Sequence, residues 1–367
     1  MPLFRPAPVR LQPYFGHRSE DRLTISARAL RVGGREGFEK RGRLQAMRTM
    51  LAHFASREVT GLGVRLELRG PDGVRYNHHG ETDDEGYVRF DVPLGPAWPL
   101  SIDPQWEVVC LHWLTSEGPQ CVEGFVLAPG AVTKLAVISD IDDTIVETGI
   151  TGGPKSIAKN WRRVLAELPD ERIAVPGSDV FYGALGGGAV LAEPGGAGVR
   201  HTATHRPFFY VSSSPWNLFS YLVAFQQSRN LPLGPLLLRD WGLNRATFGS
   251  GSHGEHKRAA IEGLLAFYPE MRFALIGDDT QGDLPAYADA VRHFPGRVAA
   301  VFIRTGSGPL SPEERAGKAM IEATGVPLWL GDDFATGKDF LRAIGISTAG
   351  ETAQIVRTVQ HEAEPAK

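Results

Sequence analysis

The chain has 367 residues, of which 42% are hydrophobic and 22% charged, and its formal net charge is −3 at pH 7. This length exceeds what one hydrophobic core usually supports, so we expect two domains. The balanced charge lacks the basic excess of nucleic-acid-binding proteins, which argues against a nucleic-acid partner. No run approaches the roughly 18 apolar residues of a membrane-spanning helix, and the N-terminus has no secretory signal pattern. The expected location is therefore the cytoplasm.

Residues 1–133 show the period-two alternation of β-strands. The stretch from Gly63 to Gly73 alternates apolar and polar residues and ends at a Pro-Asp-Gly turn. The stretch from Thr82 to Leu94 repeats this pattern after another turn signal. Short strands at such spacing predict a β-sandwich-like domain over residues 1–133.

One amphipathic helix is predicted within this first segment, from Arg43 to Phe54. The basic residues on its polar face and at its ends would suit contact with an anionic membrane surface. Packing of its apolar stripe on the sheet is the more common arrangement, and we favour it.

The two cysteines of the chain, Cys110 and Cys121, flank a segment with the pattern of a hairpin turn. They could face each other across this hairpin and form a disulfide. An intracellular chain with only two cysteines more often keeps both as small buried hydrophobic residues. The sequence favours two free thiols and leaves their pairing open.

After residue 133, apolar β-branched segments alternate with helical patterns. This is typical of βαβ units that form a parallel sheet with helices on both faces, an α/β fold. The predicted strands are Lys134–Asp140, Phe208–Ser214, Leu231–Asp240, Arg272–Asp279 and Val298–Arg304, and the predicted helices are Pro215–Ser228 and His256–Tyr268. We place this domain at residues 134–345 and a polar tail at 346–367.

A long segment, residues 145–207, separates the first two of these strands and is predicted to form a flap or small cap. Its first part has a helical pattern over residues 156–168. Its glycine-rich part, residues 183–200, predicts a mobile loop.

Acidic residues follow two of the predicted strands, within the ranges 140–143 and 278–283. Carboxylates crowded at the end of a buried strand repel each other and resist desolvation, so they favour a neutralising cation. Mg²⁺ suits oxygen ligands of this kind. An aspartate-rich turn would explain one such cluster, but two clusters at strand ends of one sheet indicate a metal site.

Polar groups for an anion are predicted at the same edge. Ser212 and Ser213 end a strand, and Ser214 and Pro215 stand where a helix N-cap and first residue belong. Hydroxyl groups and free backbone N–H groups would then converge on one place, and helix N-termini bind anions. Lys257 opens another helix near this edge and adds a cation.

Four motifs in this order resemble those of haloacid dehalogenase (HAD) superfamily phosphatases. They are Asp140-x-Asp142-x-Thr144, Ser212, Lys257, and Gly-Asp-x-x-x-x-Asp with Asp278 and Asp283. The longer strings SDIDDTIVETGIT, FFYVSSSPWNLF, LPLGPLLLRDWG and ALIGDDTQGD resemble the App1-type phosphatidate phosphatase catalytic domain over residues 134–304. The resemblance implies a HAD-like Rossmannoid sheet with a small cap.

The resemblance also implies catalytic roles. Asp140 would be the nucleophile that forms an aspartyl-phosphate, and Asp142 the general acid and base. Thr144 would hold the strand-end turn. Ser212 would bind the phosphoryl group, and Lys257 would balance charge. From their positions at the same edge, we add Ser213 and Lys257 as candidate phosphate-binding residues.

The implied Mg²⁺ ligands are Asp140, Asp142, Asp278 and Asp283. Family members often carry serine at the position of Asp279, so this residue is expected to add a charge near the metal.

Further polar residues occur near the motifs. Arg239 and Asp240 end a predicted strand, where they form either a structural ion pair or, through Arg239, a substrate contact. His253 and His256 have the spacing of a metal pair, but we expect surface residues.

The function that follows is a Mg²⁺-dependent phosphatase acting on a lipid phosphate monoester such as phosphatidate, with peripheral membrane contact. A phosphatase for soluble phosphomonoesters and a non-catalytic module that binds Mg²⁺ and phospholipid are the alternatives. A small cap favours the lipid, because the site then stays open to a membrane surface. The presence of Asp140 argues against the non-catalytic module.

Overall fold

A computed structural model describes residues 8–31, 57–142, 144–145, 175, 177–186, 195–239, 253–279, 282–306 and 308–347. The predicted helices at 43–54 and 156–168, as well as Asp143, Asp240 and nearly all of the predicted tail, lie outside the described residues. No helix among the described residues is long and apolar enough to cross a membrane.

Among the described residues, the first sheet contains ten strands, nine of them between residues 9 and 128. These nine are β1 (Val9–Pro13), β2 (Gly16–Arg18), β3 (Arg22–Arg31), β4 (Arg57–Glu58), β5 (Gly63–Arg69), β6 (Arg75–Glu81), β7 (Tyr87–Pro93), β8 (Gln105–Thr115) and β9 (Gly118–Ala128). The main path runs β1-β3-β2-β9-β8-β5-β6, and β4 and β7 both pair with β3. The pairing of β2 with β9 is parallel, and the other pairings are antiparallel.

The alternation that predicted these strands corresponds to a core on one face. In β5, the side chains of Val64, Leu66 and Leu68 are buried in one hydrophobic cluster with residues of β3, β7 and β8. The predicted strands at 63–73 and 82–94 are thus confirmed as β5 and β7.

The predicted hairpin between the two cysteines is confirmed as β8 and β9. Both cysteines are free thiols; Cys110 is buried and Cys121 is exposed. The expectation that both are buried is wrong for Cys121, because no residue of β9 is fully buried before Gly124.

The second sheet is parallel throughout. Its strands are β10 (Leu135–Asp140), β12 (Phe208–Pro215), β13 (Leu236–Arg239), β14 (Arg272–Asp278), β15 (Val298–Arg304) and β16 (Leu328–Gly331). The helices are α1 (Ser178–Gly186), α2 (Phe219–Ser228), α3 (His253–Phe267), α4 (Asp283–His293), α5 (Pro312–Ala323) and α6 (Phe334–Ala343), with a 3₁₀ turn at Trp216–Leu218. All five predicted strands and both predicted helices of this domain that lie in the described residues are present, but the strand predicted from Leu231 begins at Leu236 and the helix predicted from Pro215 begins at Phe219.

The strand order of this sheet is β13-β12-β10-β14-β15-β16. The chain therefore builds outward from β10 in one direction and then returns to place β14 on its other side. In open α/β sheets, such a reversal leaves a crevice at the carboxyl ends of the two central strands, and ligands bind there.

Both faces of this sheet are covered, which explains the continuous apolar strands. Along β12, the side chains of Phe208 and Tyr210 join one buried cluster, whereas those of Phe209 and Val211 join the cluster on the other face.

The described parts of the predicted flap pack on the sheets. In α1, the side chains of Phe181, Tyr182 and Leu185 are fully buried. A Cβ atom at Gly186 would lie 2.2 Å from the Phe208 ring, so the helix end rests directly on β12. After residue 194 the chain forms β11 (Arg200–Thr202), which pairs with β8 of the first sheet. The prediction of a mobile loop over residues 183–200 is therefore wrong at both ends of this segment, because each end packs against or pairs with residues of the sheets.

Aromatic and polar contacts join the two sheets. The rings of Tyr14 and Trp216 have centroids 4.3 Å apart. Nδ1 of His17 lies 3.0 Å from the Tyr268 hydroxyl oxygen, and Arg28 donates a hydrogen bond to Asn217 at 2.5 Å. The first sheet is thus attached where α2 begins and where α3 ends.

Candidate active site

The predicted site residues meet at the carboxyl edge of the parallel sheet. Asp140 ends β10 and Asp278 ends the adjacent strand β14. These strands flank the point where the strand order reverses, so their last side chains lie at the expected ligand crevice. Ser212 stands on β12, the other neighbour of β10.

Three carboxylates form one buried group. Asp140, Asp278 and Asp283 are at most 2% exposed, and one oxygen of each lies within 4.8 Å of the others. Asp283 is the first residue of α4, and its Oδ2 accepts a hydrogen bond from the backbone N–H of Asp278 at 3.0 Å. Gly277 allows this close approach, because a Cβ atom there would lie 2.3 Å from Asp283 Oδ2.

Lys257 places its ammonium group between two of these carboxylates. Its Nζ lies 2.8 Å from Asp140 Oδ1 and 2.5 Å from Asp283 Oδ1. Burial lowers the pKa of Lys257, but the charges of Asp140, Asp283 and Asp278 outweigh this effect and raise it above its ordinary value. The lysine is therefore charged and compensates one of the three negative charges.

The remaining negative charge fits a hard divalent cation. Burial raises the pKa of Asp140 most, Lys257 lowers it, and the carboxylates of Asp283, Asp278 and Asp142 raise it further, so it lies well above its usual range. Oδ2 of Asp140 is buried and accepts no hydrogen bond from the described residues. Mg²⁺ prefers oxygen ligands that carry negative charge. The buried carboxylates offer such ligands, and Oδ2 of Asp140 is not occupied by a hydrogen bond from the described part of the chain.

Thr144 contacts this group from the turn after β10. Its Oγ1 donates a hydrogen bond to Asp278 Oδ2 at 3.2 Å, and its side chain is fully buried. The contact joins the turn to the end of β14 and orients the Asp278 carboxylate.

Asp142 is held by two serine side chains. The Ser212 hydroxyl donates to its Oδ2 at 2.6 Å, and the Ser214 hydroxyl lies 3.0 Å from both of its oxygens. Ser212 also accepts from the backbone N–H of Ser214 at 2.9 Å. These contacts hold the Asp142 carboxylate on the β12 side, whereas the group of three lies on the β14 side.

The prediction that Ser214 caps a helix is wrong. The strand β12 continues to Pro215, and the 3₁₀ turn after it has no side-chain cap, since the Ser214 hydroxyl contacts Asp142 instead. Sequence analysis therefore missed Ser214 as a site residue. The sequence feature that could have identified Ser214 is its spacing of two residues from Ser212. In a strand this spacing puts the side chains of Ser212 and Ser214 on one side and that of Ser213 on the other.

Asp279 does not join the three carboxylates. Its oxygens accept from the backbone N–H of Gly306 at 2.9 and 2.8 Å, and burial raises its pKa. Asp279 is therefore not a member of the group of three, because adjacent strand-end residues point to opposite sides. That its charge lies near the metal stays a prediction.

A second buried contact supports the end of β10. The hydroxyl groups of Ser139 and Tyr182 lie 2.7 Å apart. Tyr182 belongs to α1, so the long insert helps to position the residue that precedes Asp140. This pair was not anticipated, since nothing local links two residues 43 positions apart.

The remaining candidates lie further along the same edge. Arg239 ends β13 beside Pro215 of β12, one strand beyond the serines, and its suggested partner Asp240 is outside the described residues. His256 is half-buried, with Nε2 3.4 Å from the Leu237 carbonyl oxygen, and burial lowers its pKa. It is therefore not the surface residue that we expected; the side chain of His253 is not described.

Comparison with known proteins adds sequence similarity to this geometry. Residues 135–305 match the catalytic domain of phosphatidate phosphatase APP1. The chain is 30% identical over 178 residues to phosphatidate phosphatase APP1 of Saccharomyces cerevisiae, across 48% of this chain and 27% of that protein. It is 26% identical over 172 residues to an uncharacterised protein of Schizosaccharomyces pombe, across 46% and 25%. The similarity thus spans about a quarter of each relative's length.

Among solved structures, a β-glucuronidase of Parabacteroides merdae aligns with 88% of this chain and 40% of its own, at 9% identity and a TM-score of 0.27. A structural similarity this low supports no inference about the fold or function of this chain.

Proposed function

Since residues 135–305 belong to the family of the APP1 phosphatidate phosphatase catalytic domain, we propose that this chain is a phosphatase that hydrolyses a lipid phosphate monoester, with phosphatidate as the substrate. We further propose that its parallel sheet has the HAD-type fold and that the first 133 residues form a β-sandwich-like domain. The observation that carries the proposal is the buried group of Asp140, Asp278, Asp283 and Lys257 at the point where the strand order reverses.

In the proposed reaction, an oxygen of Asp140 attacks the phosphorus atom and the bond to the lipid alkoxide breaks. Asp142, in its protonated form, gives its proton to the departing oxygen, because an alkoxide leaves poorly without one. The hydrogen bonds from Ser212 and Ser214 aim the Asp142 carboxyl group for this transfer.

The second step regenerates the enzyme. Asp142 takes a proton from water, the water oxygen attacks the phosphorus of the aspartyl-phosphate, and inorganic phosphate leaves. Asp140 returns as a carboxylate and Asp142 as an acid. The charged Lys257, 2.8 Å from Asp140, holds the nucleophile and attracts the phosphoryl oxygens.

The residues that would hold Mg²⁺ are Asp140, Asp278 and Asp283, and we keep Asp142 as a further candidate ligand. Bound there, the ion would neutralise charge on the phosphoryl oxygens. Thr144 and Gly277 support this set, Thr144 through its bond to Asp278 and Gly277 through the space it leaves for Asp283.

A lipid substrate lies at a membrane surface, so the proposal includes peripheral membrane contact. Soluble phosphomonoesters are the alternative substrates. A non-catalytic lipid-binding role is disfavoured, because one carboxylate oxygen of Asp140 accepts no hydrogen bond from any described residue.

Phosphate release tests the function directly. The full chain would be assayed on vesicles of phosphatidate in phosphatidylcholine and on a panel of water-soluble phosphate monoesters, with Mg²⁺ or with excess EDTA. We expect Mg²⁺-dependent release from the vesicles, none with EDTA, and none from Asp140→Asn. Turnover only of soluble esters would reject the lipid substrate, and full activity in EDTA would reject the metal.

The roles of the two aspartates are separated by the leaving group. Asp142→Asn should lose phosphatidate hydrolysis, yet still react with an aryl phosphate whose nitrophenolate needs no proton. Its second step should stall, giving a burst of about one equivalent of nitrophenol and a phosphorylated peptide containing Asp140. A normal rate on phosphatidate would show that Asp142 is not the acid.

A further inference from the structure

Two thiols and an imidazole ring come together on the first sheet, away from the carboxylates. Cys110 and His112 are two residues apart on β8 and share one face, and Cys121 on β9 stands directly opposite His112. One ligand atom from each, sulfur or ring nitrogen, lies within 4.8 Å of the others.

The strand register disfavours a direct disulfide between the thiols. Cys110 stands opposite Glu123, so Cys121 is its diagonal neighbour. Diagonal Cα atoms lie about 7–8 Å apart, whereas disulfides need about 4.4–6.8 Å. A zinc ion bridges a wider gap, because bonds of about 2.3 Å in a tetrahedron hold sulfur atoms about 3.8 Å apart. The ligand atoms lie within 4.8 Å of one another, so they would close by at most about 1 Å to reach that spacing.

The histidine ring has the surroundings of a metal ligand. Oε2 of Glu67 on β5 lies 3.3 Å from Nε2 of His112. That nitrogen is shielded from solvent, and its contact with Glu67 lacks the geometry of a hydrogen bond. Carboxylates beside metal-binding histidines commonly orient the ring by accepting its second N–H. Glu67 would do so once the ring turns to align Nε2–H with its carboxylate.

The thiols do not have the surroundings of reactive cysteines. Burial raises the pKa of Cys110 to about 11 and also raises the pKa of Cys121. Reactive cysteines have a lowered pKa instead. A soft divalent cation would displace both protons on binding, since it binds the thiolate form.

The cluster lies where the insert of the parallel-sheet domain crosses the first sheet. Glu123, opposite Cys110, accepts from the backbone N–H groups of Gly195 and Gly196 at 3.2 and 2.7 Å. Gly198 then donates to the Val108 carbonyl oxygen at 2.8 Å. An ion bound here would stiffen the β8–β9 hairpin beneath this crossing.

We propose that Cys110, His112 and Cys121 bind a zinc ion, with a solvent molecule in the fourth position because Cys121 is exposed. This site is separate from the proposed Mg²⁺ site. Its all-oxygen ligands suit a hard cation, whereas thiolates select softer ions such as Zn²⁺.

Metal binding to the purified, untagged full chain tests the proposal, in excess Mg²⁺ so that the carboxylates are occupied. We expect about one zinc per chain by elemental analysis. With Co²⁺ as the probe, we expect a thiolate-to-metal charge-transfer band, which carboxylates cannot produce. The variants His112→Gln and Cys121→Ser should weaken zinc binding at least about tenfold. The variant His79→Gln changes an exposed histidine of β6, which β5 separates from β8, and should bind as the parent does.

Two results would overturn the proposal. One is a reduced chain with two titratable thiols that binds no zinc and shows no charge-transfer band with Co²⁺. The other is equal zinc affinity in the parent, His112→Gln and Cys121→Ser. Circular dichroism of each variant shows whether it is folded, and Cys110→Ser provides a third variant if one of the others is not.

Discussion

Lys257 and Asp140 form an ion pair that is almost wholly shielded from water: Nζ and Oδ1 lie 2.8 Å apart, and each side chain is 1% exposed. Burying two charges costs more than one such contact usually returns. This pair lies beside two further carboxylates. We therefore infer that Lys257 balances charge for a phosphoryl group rather than stabilising the fold.

Replacing Lys257 by methionine should therefore destabilise the protein strongly in the absence of metal. Three neighbouring carboxylates would lose the cation that contacts two of them, a change of the kind that costs about 3–5 kcal/mol. Mg²⁺ should recover part of this loss by binding the same oxygens. Urea unfolding with and without Mg²⁺ measures both effects. Lys318→Met removes a surface lysine paired with Glu322 and should change stability by less than about 1 kcal/mol. If both variants unfold alike, Lys257 does not compensate the cluster.

Gly277→Ala should impair the site through shape alone. The new methyl group would lie 2.3 Å from Asp283 Oδ2, so the carboxylate must move away from Asp278 and Lys257. We expect weaker Mg²⁺ binding and at least about tenfold lower turnover. Gly263→Ala is the matched control, because nothing lies within 4 Å of its Cβ position on α3, and alanine there should stabilise the helix by about 0.5–1 kcal/mol. Unchanged Mg²⁺ titration of Gly277→Ala would contradict the assignment of Asp283.

Ser214→Ala should reduce turnover while leaving the protein folded. The Asp142 carboxylate would lose the hydroxyl that lies 3.0 Å from both its oxygens and would be held by Ser212 alone. General acid catalysis raises reaction rates by about 100-fold or more. An incorrectly oriented acid loses part of this rate increase, so we expect kcat to fall about tenfold. Ser228→Ala, whose hydroxyl donates to the Phe225 carbonyl oxygen at the end of α2, should keep full activity. Equal rates for the two variants would mean that Ser214 does not position Asp142.

Stability should fall in mild acid because of His17, at the contact between the two sheets. Burial, and to a smaller extent the charge of Arg22, lower its pKa to about 3 against the opposing charge of Asp91. The unfolded chain, with the ordinary value of 6.5, binds the proton more readily. This part of the stability is therefore complete above pH 6.5 and declines as the pH falls towards 3, by at most about 1.4 kcal/mol per pH unit.

Urea unfolding at several pH values would measure this decline. In His17→Gln, the amide can still meet the Tyr268 hydroxyl but does not titrate, so the decline between pH 6.5 and 5 should be smaller than in the parent. His79→Gln removes an exposed histidine and should retain the parent's slope. An unchanged slope in His17→Gln would show that His17 is not the titrating group.

The sequence by itself determined five of the six strands described in the parallel sheet and the aspartates at the ends of two of them; the edge strand β16 was not predicted. The apolar runs at 135–138 and 273–277 predict strands because a sheet covered on both faces needs apolar side chains at nearly every position. Asp140 and Asp278 follow these runs within two residues, so their place at the carboxyl edge needed no knowledge of distant contacts.

Only the tertiary structure decided which polar side chains act together. The acidic pattern at 278–283 alone does not separate Asp278 from Asp279, but the pleat directs Asp278 to the carboxylate group and Asp279 to Gly306. Ser214 has the local pattern of a helix cap, yet Asp142, 72 residues away, takes its hydroxyl. The pairing of Cys121 with His112 depends on the register of a hairpin. Local patterns reflect backbone preferences within a few residues, whereas these partnerships arise from packing between segments far apart in the chain.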